Sequence, residues 1–284
     1  MKKIGFIDYY ISEWHANNYP GWMKEICREL KLDYDICYAW AEKYESEVDG
    51  RDTDTWCRDF GVKKCDTIQE LCEKCDNIVI LAPSNPEKHL GYIEEAFKCG
   101  KRIYVDKTFA PDFATAKKIF EISEKYNTPF FSTSALRYGE ELDIFQGEKN
   151  ISVKGGGSNL PEYIIHQVEM AVKVLGTGAE KLMLTEEDGQ IVTTLLYSDE
   201  RCAKLYYKNS NGFEIARGEG MENATAITSP FFMNLMRKIL IFFETGEVDF
   251  CPSQTLEVMK IREAIIKAQD TPDQWIDLLN GENI

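Results

Sequence analysis

The period of the hydrophobic positions changes along the chain, and those changes place the elements. Residues 3–8 (KIGFID) form a short apolar run, which predicts a buried strand. Apolar residues then recur at helical spacing over 18–32, with Trp22, Ile26 and Leu30 near one face. YDICYAWA (34–41) returns to a strand pattern, and 42–60 is polar and loop-like. A helix is expected over 67–75, a strand at NIVILAP (77–83), and a helix over 86–100 ended by Gly100. RIYVDK (102–107) and PFFSTSA (129–135) read as strands around an amphipathic helix at 112–127. Strand and helix therefore alternate through the first half, which predicts a parallel sheet covered on both faces.

The second half has a different rhythm. LPEYIIHQVEMAVKVLG (160–176) carries apolar residues at three-to-four spacing and ends on Gly176. EKLMLTEE, QIVTTLLYSD, CAKLYYKN and GFEIARGEG then alternate like strands. Turn residues Asp188-Gly189, Asp199-Glu200 and Asn211-Gly212 separate them, as in hairpins. Helices are expected around 231–244 and 253–269. The pattern predicts an α/β protein: a Rossmann-like parallel-sheet domain over 1–130, then an α/β domain over 131–284 with an open, mostly antiparallel sheet. An open sheet face with alternating apolar residues needs a cover, so a homodimer or higher homo-oligomer is expected.

Composition narrows the class of partner. The 284 residues are 44% hydrophobic and 29% charged, with a formal net charge of -15. Such a surface is a poor match for nucleic acid or an anionic membrane. No apolar run is long enough to span a bilayer, and no signal peptide is visible, so a cytoplasmic protein is expected. The nine cysteines are an odd number in a long chain, which argues against a disulfide scaffold. Cys72 and Cys75 form a lone CxxC inside a helical pattern and read as buried thiols, so no metal is expected.

In an open parallel sheet, ligands lie beyond the carboxyl ends of the strands. Those ends supply the candidate cofactor residues: Asp8, Tyr9, Tyr10, Trp40, Pro83, Ser84, Asn85, Asp106 and Lys107. Lys107 directly follows a buried strand, where it suits a substrate hydroxyl; a solvated strand-end lysine explains it equally well. Glu162 and His166 stand four apart on one predicted helix, so the carboxylate can orient the imidazole. A structural histidine is the other reading. His15 follows the first turn and can edge the same crevice, whereas a capping or solvated role is expected for His89.

Together these segments resemble the Gfo/Idh/MocA oxidoreductases, the relatives of glucose–fructose oxidoreductase and inositol dehydrogenase. The resemblance runs through NIVILAPSNPEKHLGYIEEAFKCGKRIYVDKTFAPDF, with Asp106-Lys107-Thr108 where the family usually has Glu-Lys-Pro. It continues in GGGSNLPEYIIHQVEM, with Glu162, His166 and Glu169 at the places of the family's Asp, His and Asp, and in the closing segment from FFETGEVDF. It implies NAD or NADP as cofactor and a small hydroxylated substrate, a sugar or cyclitol. Lys107, Glu162 and His166 would be the catalytic residues. The resemblance breaks at the first turn. The family's three glycines fall on Asp8, Tyr10 and roughly Glu13, so bulk and negative charge stand where a pyrophosphate would lie. An NAD(P)-dependent oxidoreductase is the expected function. A non-catalytic sensor or partner-binding protein with lost or altered dinucleotide binding is the alternative.

Overall fold

A computed structural model describes residues 1–279. The described chain divides into two compact units, Met1–Thr133 with Met233–Asp249, and Ser134–Phe232 with the described residues from Phe250 to Leu279.

The first unit alternates strand and helix in chain order: β1 (Lys2–Asp8), α1 (Trp14–Leu30), β2 (Tyr34–Ala41), α2 (Thr53–Phe60), β3 (Lys63–Lys64), α3 (Ile68–Lys74), β4 (Asn77–Ile80), α4 (Pro86–Ala96), β5 (Arg102–Val105), α5 (Phe113–Tyr126) and β6 (Phe130–Ser132). All paired strands are parallel, in the order β3-β2-β1-β4-β5-β6. This is the doubly wound order, and its switch point lies between β1 and β4. Ile4, Phe6, Ile78, Val79, Ile80, Ile103, Tyr104 and Val105 are fully buried, as expected of strands covered on both faces. Gly5 sets how closely α3 can approach: a Cβ there would lie 2.5 Å from Leu71 Cδ2 and 2.7 Å from Cys75 Sγ.

Helix ends are marked by residues the sequence supplies. Asp52, Thr67 and Asp112 cap α2, α3 and α5 through their side chains. Lys31 and Asn127 end α1 and α5 in the left-handed conformation. Helix α2 corrects the expectation of a loop over 42–60. Its polar outer face hides Trp56 and Cys57, both buried, and the Trp56 ring stacks 4.5 Å from Phe60.

The second unit contains β7 (Asn150–Gly155), α6 (Leu160–Leu175), β8 (Ala179–Glu187), β9 (Gln190–Tyr197), β10 (Cys202–Tyr207), β11 (Glu214–Arg217) and β12 (Thr225–Ala226). Helix α7 (Phe231–Thr245) crosses to the first unit at Met233, and α8 (Pro252–Ala268) and β13 (Trp275–Asp277) complete the second. Its sheet runs β12-β11-β7-β10-β9-β8-β13, with β7 and β10 parallel and every other pair antiparallel. The expected fold class is therefore the observed one. In β10 the alternation is plain: Ala203, Leu205 and Tyr207 are buried, and Cys202, Lys204 and Tyr206 are half-buried.

Candidate functional site

At the switch point of the first unit, β1 delivers Asp8 into a buried crevice, where it is 1% exposed. One carboxyl oxygen of Asp8 accepts the backbone N–H of Tyr9 at 2.7 Å and of Ala82, beyond β4, at 3.0 Å. The other oxygen is buried and has no hydrogen-bond partner among the described residues. Burial, followed by the nearby charge of Glu13, holds the Asp8 carboxyl well above the usual carboxylate range.

Glu13 is the N-cap of α1. Its carboxylate accepts the N–H of His15 at 2.8 Å and that of Ala16. Helix N-termini of this kind ordinarily receive a ligand phosphate, because unpaired N–H groups and the helix dipole point there. Here the chain supplies the anion itself. Burial raises the Glu13 carboxyl, against the opposing pull of His15 and of the two backbone donors.

A third buried acid, Asp106, follows β5. It pairs with the His15 imidazole, accepts from Lys107 N–H at 2.9 Å and from the Tyr104 hydroxyl at 3.2 Å, and lies 3.4 Å from the Tyr19 hydroxyl. The His15 and Tyr19 rings stack at 5.1 Å. Burial acts to raise Asp106, but His15 and Lys107 outweigh it and leave its carboxyl lowered. His15 is thus built into the crevice floor. His89, expected as a capping or solvated residue, is fully buried, with its ring nitrogens against the carbonyls of Phe109 and Leu81. Its place beside Tyr92, Ile93 and Ala96 on the buried face of α4 accounts for the difference.

The remaining candidates of this unit line the rim. Tyr9 and Tyr10 are half-buried with rings 5.5 Å apart, and the ammonium groups of Lys43 and Lys88 lie 5.0 and 4.9 Å from the Tyr9 ring. Trp40 meets Tyr92 edge-on at 5.4 Å. Pro83, Ser84 and Asn85 form the turn before α4, with Ser84 exposed. Lys107 is half-buried after β5, and its peptide bond to Thr108 is cis.

In the second unit, β7 and the glycine run lead into α6. Gly156 and Gly157 allow close approach: a Cβ would lie 2.2 Å from the Lys208 carbonyl at the first and 2.0 Å from the Tyr163 ring at the second. Asn159 then caps α6 by accepting the Glu162 N–H at 2.9 Å, and the Glu162 carboxylate accepts from Asn159 Nδ2 at 3.1 Å. His166, one turn along, is buried to 9% exposure between the edges of Tyr163 and Phe213, 5.8 and 5.5 Å away. Its Nδ1 lies 2.7 Å from the Ser134 hydroxyl, and Glu169 accepts the Ser134 N–H at 3.3 Å. Glu169 also forms a buried ion pair with Arg137, whose guanidinium reaches Gln254 at 2.8 Å and covers Phe250 at 4.1 Å. Sequence reasoning singled out His166 and Glu169 but not Ser134 as the imidazole's partner, nor Arg137. Ser134 precedes α6 by more than twenty residues, and no local spacing signals the contact.

The fold is shared with enzymes of known structure. A scyllo-inositol dehydrogenase from Lactobacillus casei, solved with NAD(H) and scyllo-inositol, superposes with a TM-score of 0.71 at 14% identity, covering 98% of this chain and 99% of that one. A UDP-N-acetylglucosamine 3-dehydrogenase from Acidithiobacillus ferrooxidans gives 0.74 at 9% identity over 94% and 97%. A dehydrogenase from Clostridium difficile gives 0.69 at 16% identity over 94% and 99%. No family model and no curated protein matches the chain in sequence. The fold is that of the Gfo/Idh/MocA oxidoreductases, the family that the sequence resembles.

Proposed function

We propose that this chain is a binding protein for a small hydroxylated molecule, built on a dehydrogenase fold, that does not seat a dinucleotide on α1. The carrying observation is the Glu13 carboxylate on the N–H groups of His15 and Ala16. Those are the donors a pyrophosphate needs. A phosphate placed there would meet Glu13 and, close by, the carboxyl of Asp8. One such charge pair about 4 Å apart costs about 4 kcal/mol at an effective dielectric constant near 20. The residues at the first turn therefore do not fit the cofactor in its usual pose. The hydroxylated ligand is taken from the inositol and sugar-nucleotide enzymes that share the fold. His166, held by Ser134, and Tyr163 are suitable hydrogen-bonding groups for it. A cytoplasmic homo-oligomer fits the same reading.

The second reading is an NAD(P)-dependent oxidoreductase with Lys107, Glu162 and His166 as catalytic residues. It is favoured by a lysine two residues beyond β5 and a histidine on α6 in a fold shared with an enzyme solved with NAD(H). It requires the cofactor to displace Glu13. Calorimetric titration with myo-inositol and scyllo-inositol, with and without NADH, separates the two. The first reading expects nucleotide-independent binding that weakens at least tenfold in His166→Ala. Polyol binding that appears only with NADH would overturn it in favour of the second.

A further inference from the structure

The chain passes between its two units three times, at Thr133/Ser134, Phe232/Met233 and Asp249/Phe250. On the second unit's side, one short stretch holds all three ends. It runs from Ser134 into the 3-10 turns Ala135–Tyr138 and Glu140–Phe145. Ser134 is itself the first end. Arg137 holds the third: its guanidinium covers the Phe250 ring at 4.1 Å and donates from Nη1 to Gln254 Oε1 at 2.8 Å. Glu141 holds the chain just before the second. Its Oε1 accepts the N–H of Thr228 at 2.9 Å, the Thr228 hydroxyl at 3.1 Å and the N–H of Ser229 at 2.8 Å. Its Oε2 accepts the Ser229 hydroxyl at 2.6 Å, and the Glu140 N–H donates to Ser229 Oγ at 3.0 Å.

The same stretch is fastened to α6 at its start. Ser134 Oγ lies 2.7 Å from His166 Nδ1 and accepts the Leu136 N–H at 3.2 Å. Glu169 accepts the Ser134 N–H at 3.3 Å and pairs with Arg137. Ser134, Arg137 and Glu169 are all buried, so a bond lost among them is not replaced by bulk water. Short 3-10 turns have poorer backbone hydrogen-bond geometry than an α-helix, so these side-chain bonds carry much of the order in the stretch. His166 thus reaches each chain end through the side chains of a single segment.

We propose that Ser134–Glu141 is a coupling segment, through which a polyol bound at His166 tightens the three chain ends of the second unit together. The proposal rests on the reading of His166 as a ligand-binding group. A ligand hydroxyl on the imidazole fixes its tautomer and ring orientation. That fixes the bond from Nδ1 to Ser134, and with it the segment that carries Arg137 and Glu141. The ends then have a looser and a tighter arrangement, and the ligand favours the tighter one because only there is its imidazole fully held.

The test is amide hydrogen exchange of the full chain, read by mass spectrometry with and without scyllo-inositol, beside calorimetry of the same samples. With the polyol, exchange at 134–138, 227–232 and 250–254 should slow together by about threefold. Glu141→Ala should bind the polyol as the parent does and keep the slowing at 250–254, but lose it at 227–232. A ligand-free arm examines the segment without the polyol. There His166→Ala should speed exchange at 227–232 and 250–254 but not in β9, and His166→Asn, with an amide near the place of Nδ1, should restore it. Binding with slowing confined to α6, or slowing at 227–232 that survives Glu141→Ala, would overturn the coupling. So would His166→Ala exchange that is unchanged at both ends, or that speeds equally in β9. Absence of binding heat from the parent would overturn the polyol reading and the coupling to it, while the ligand-free arm still decides whether the segment ties the ends.

Discussion

The Glu13 carboxylate accepts the backbone N–H of His15 at 2.8 Å, so the first helix of the parallel-sheet unit arrives with its anion already in place. A neutral first turn would leave those donors for a ligand. Asp8 and Glu13 of this turn, with Asp106 from the end of β5, set three acidic side chains around one buried crevice.

Removing the cap separates its structural role from its electrostatic one. Glu13→Gly should cost the fold about 1 kcal/mol or less, since glycine is itself tolerated at an N-cap. Urea denaturation measures this. A loss several times larger would mean that Glu13 holds the crevice by more than its two backbone bonds.

The acids also fix the sign of the pH dependence. Asp8 and Glu13 have raised folded values, so the native state keeps protons that the unfolded chain has released. Their contribution therefore falls as pH rises above the ordinary carboxylate range toward those raised values. Asp106, with a lowered value, contributes stability above the ordinary range, and this is lost as pH falls through its folded value. Asp8→Asn keeps an oxygen for Tyr9 and Ala82 but removes the titration. Between pH 5 and pH 8 it should lose less stability than the parent in urea titrations. Parallel pH profiles for the two proteins would refute the assignment.

In the second unit, Arg137 and Glu169 are both nearly fully buried, at 4% and 3% exposure, and answer each other's charge. Arg137→Met alone should destabilise by about 3–5 kcal/mol, because it strands a buried carboxylate. Adding Glu169→Leu should recover most of that loss. Calorimetric melting of the single and double variants gives the coupling directly, and additive losses would contradict a mutually compensated pair.

Gly156 is a geometric requirement of the approach to α6. Gly156→Ala would push a methyl group against the Lys208 carbonyl, which cannot give way as a side-chain tip can. A loss of about 1–3 kcal/mol is expected, as for overpacking. Gly212→Ala, where nothing lies within 4 Å, is the control and should change the melting temperature far less.

Much of the fold was legible because its strands are short, apolar and bounded by turn residues. Strand β2 fell on its predicted residues, and α6 differed by one at its end. Strand β7 was not read, because NISVKG alternates over only six residues amid glycines and charges. Strands β12 and β13 have two and three residues, below any periodic signal. At the site, strand ends pointed to Asp8 and Asp106 because parallel-sheet topology makes those positions special. The Glu13 cap was legible only as missing glycine, and its N–H partners required the turn's geometry. The Asp106–His15 pair spans ninety-one positions, and Ser134–His166 thirty-two, so tertiary packing alone brings them together.

The central claim is that α1 is closed to a dinucleotide by its own carboxylate. Isothermal titration of the full chain with NADH and with NADPH tests it most directly, beside Asp8→Gly/Glu13→Gly, which restores two of the glycines. Neither nucleotide should bind the parent chain at millimolar concentration, and the double variant should gain measurable affinity. Stoichiometric, micromolar binding of either nucleotide to the parent, unchanged by the double substitution, would contradict the account.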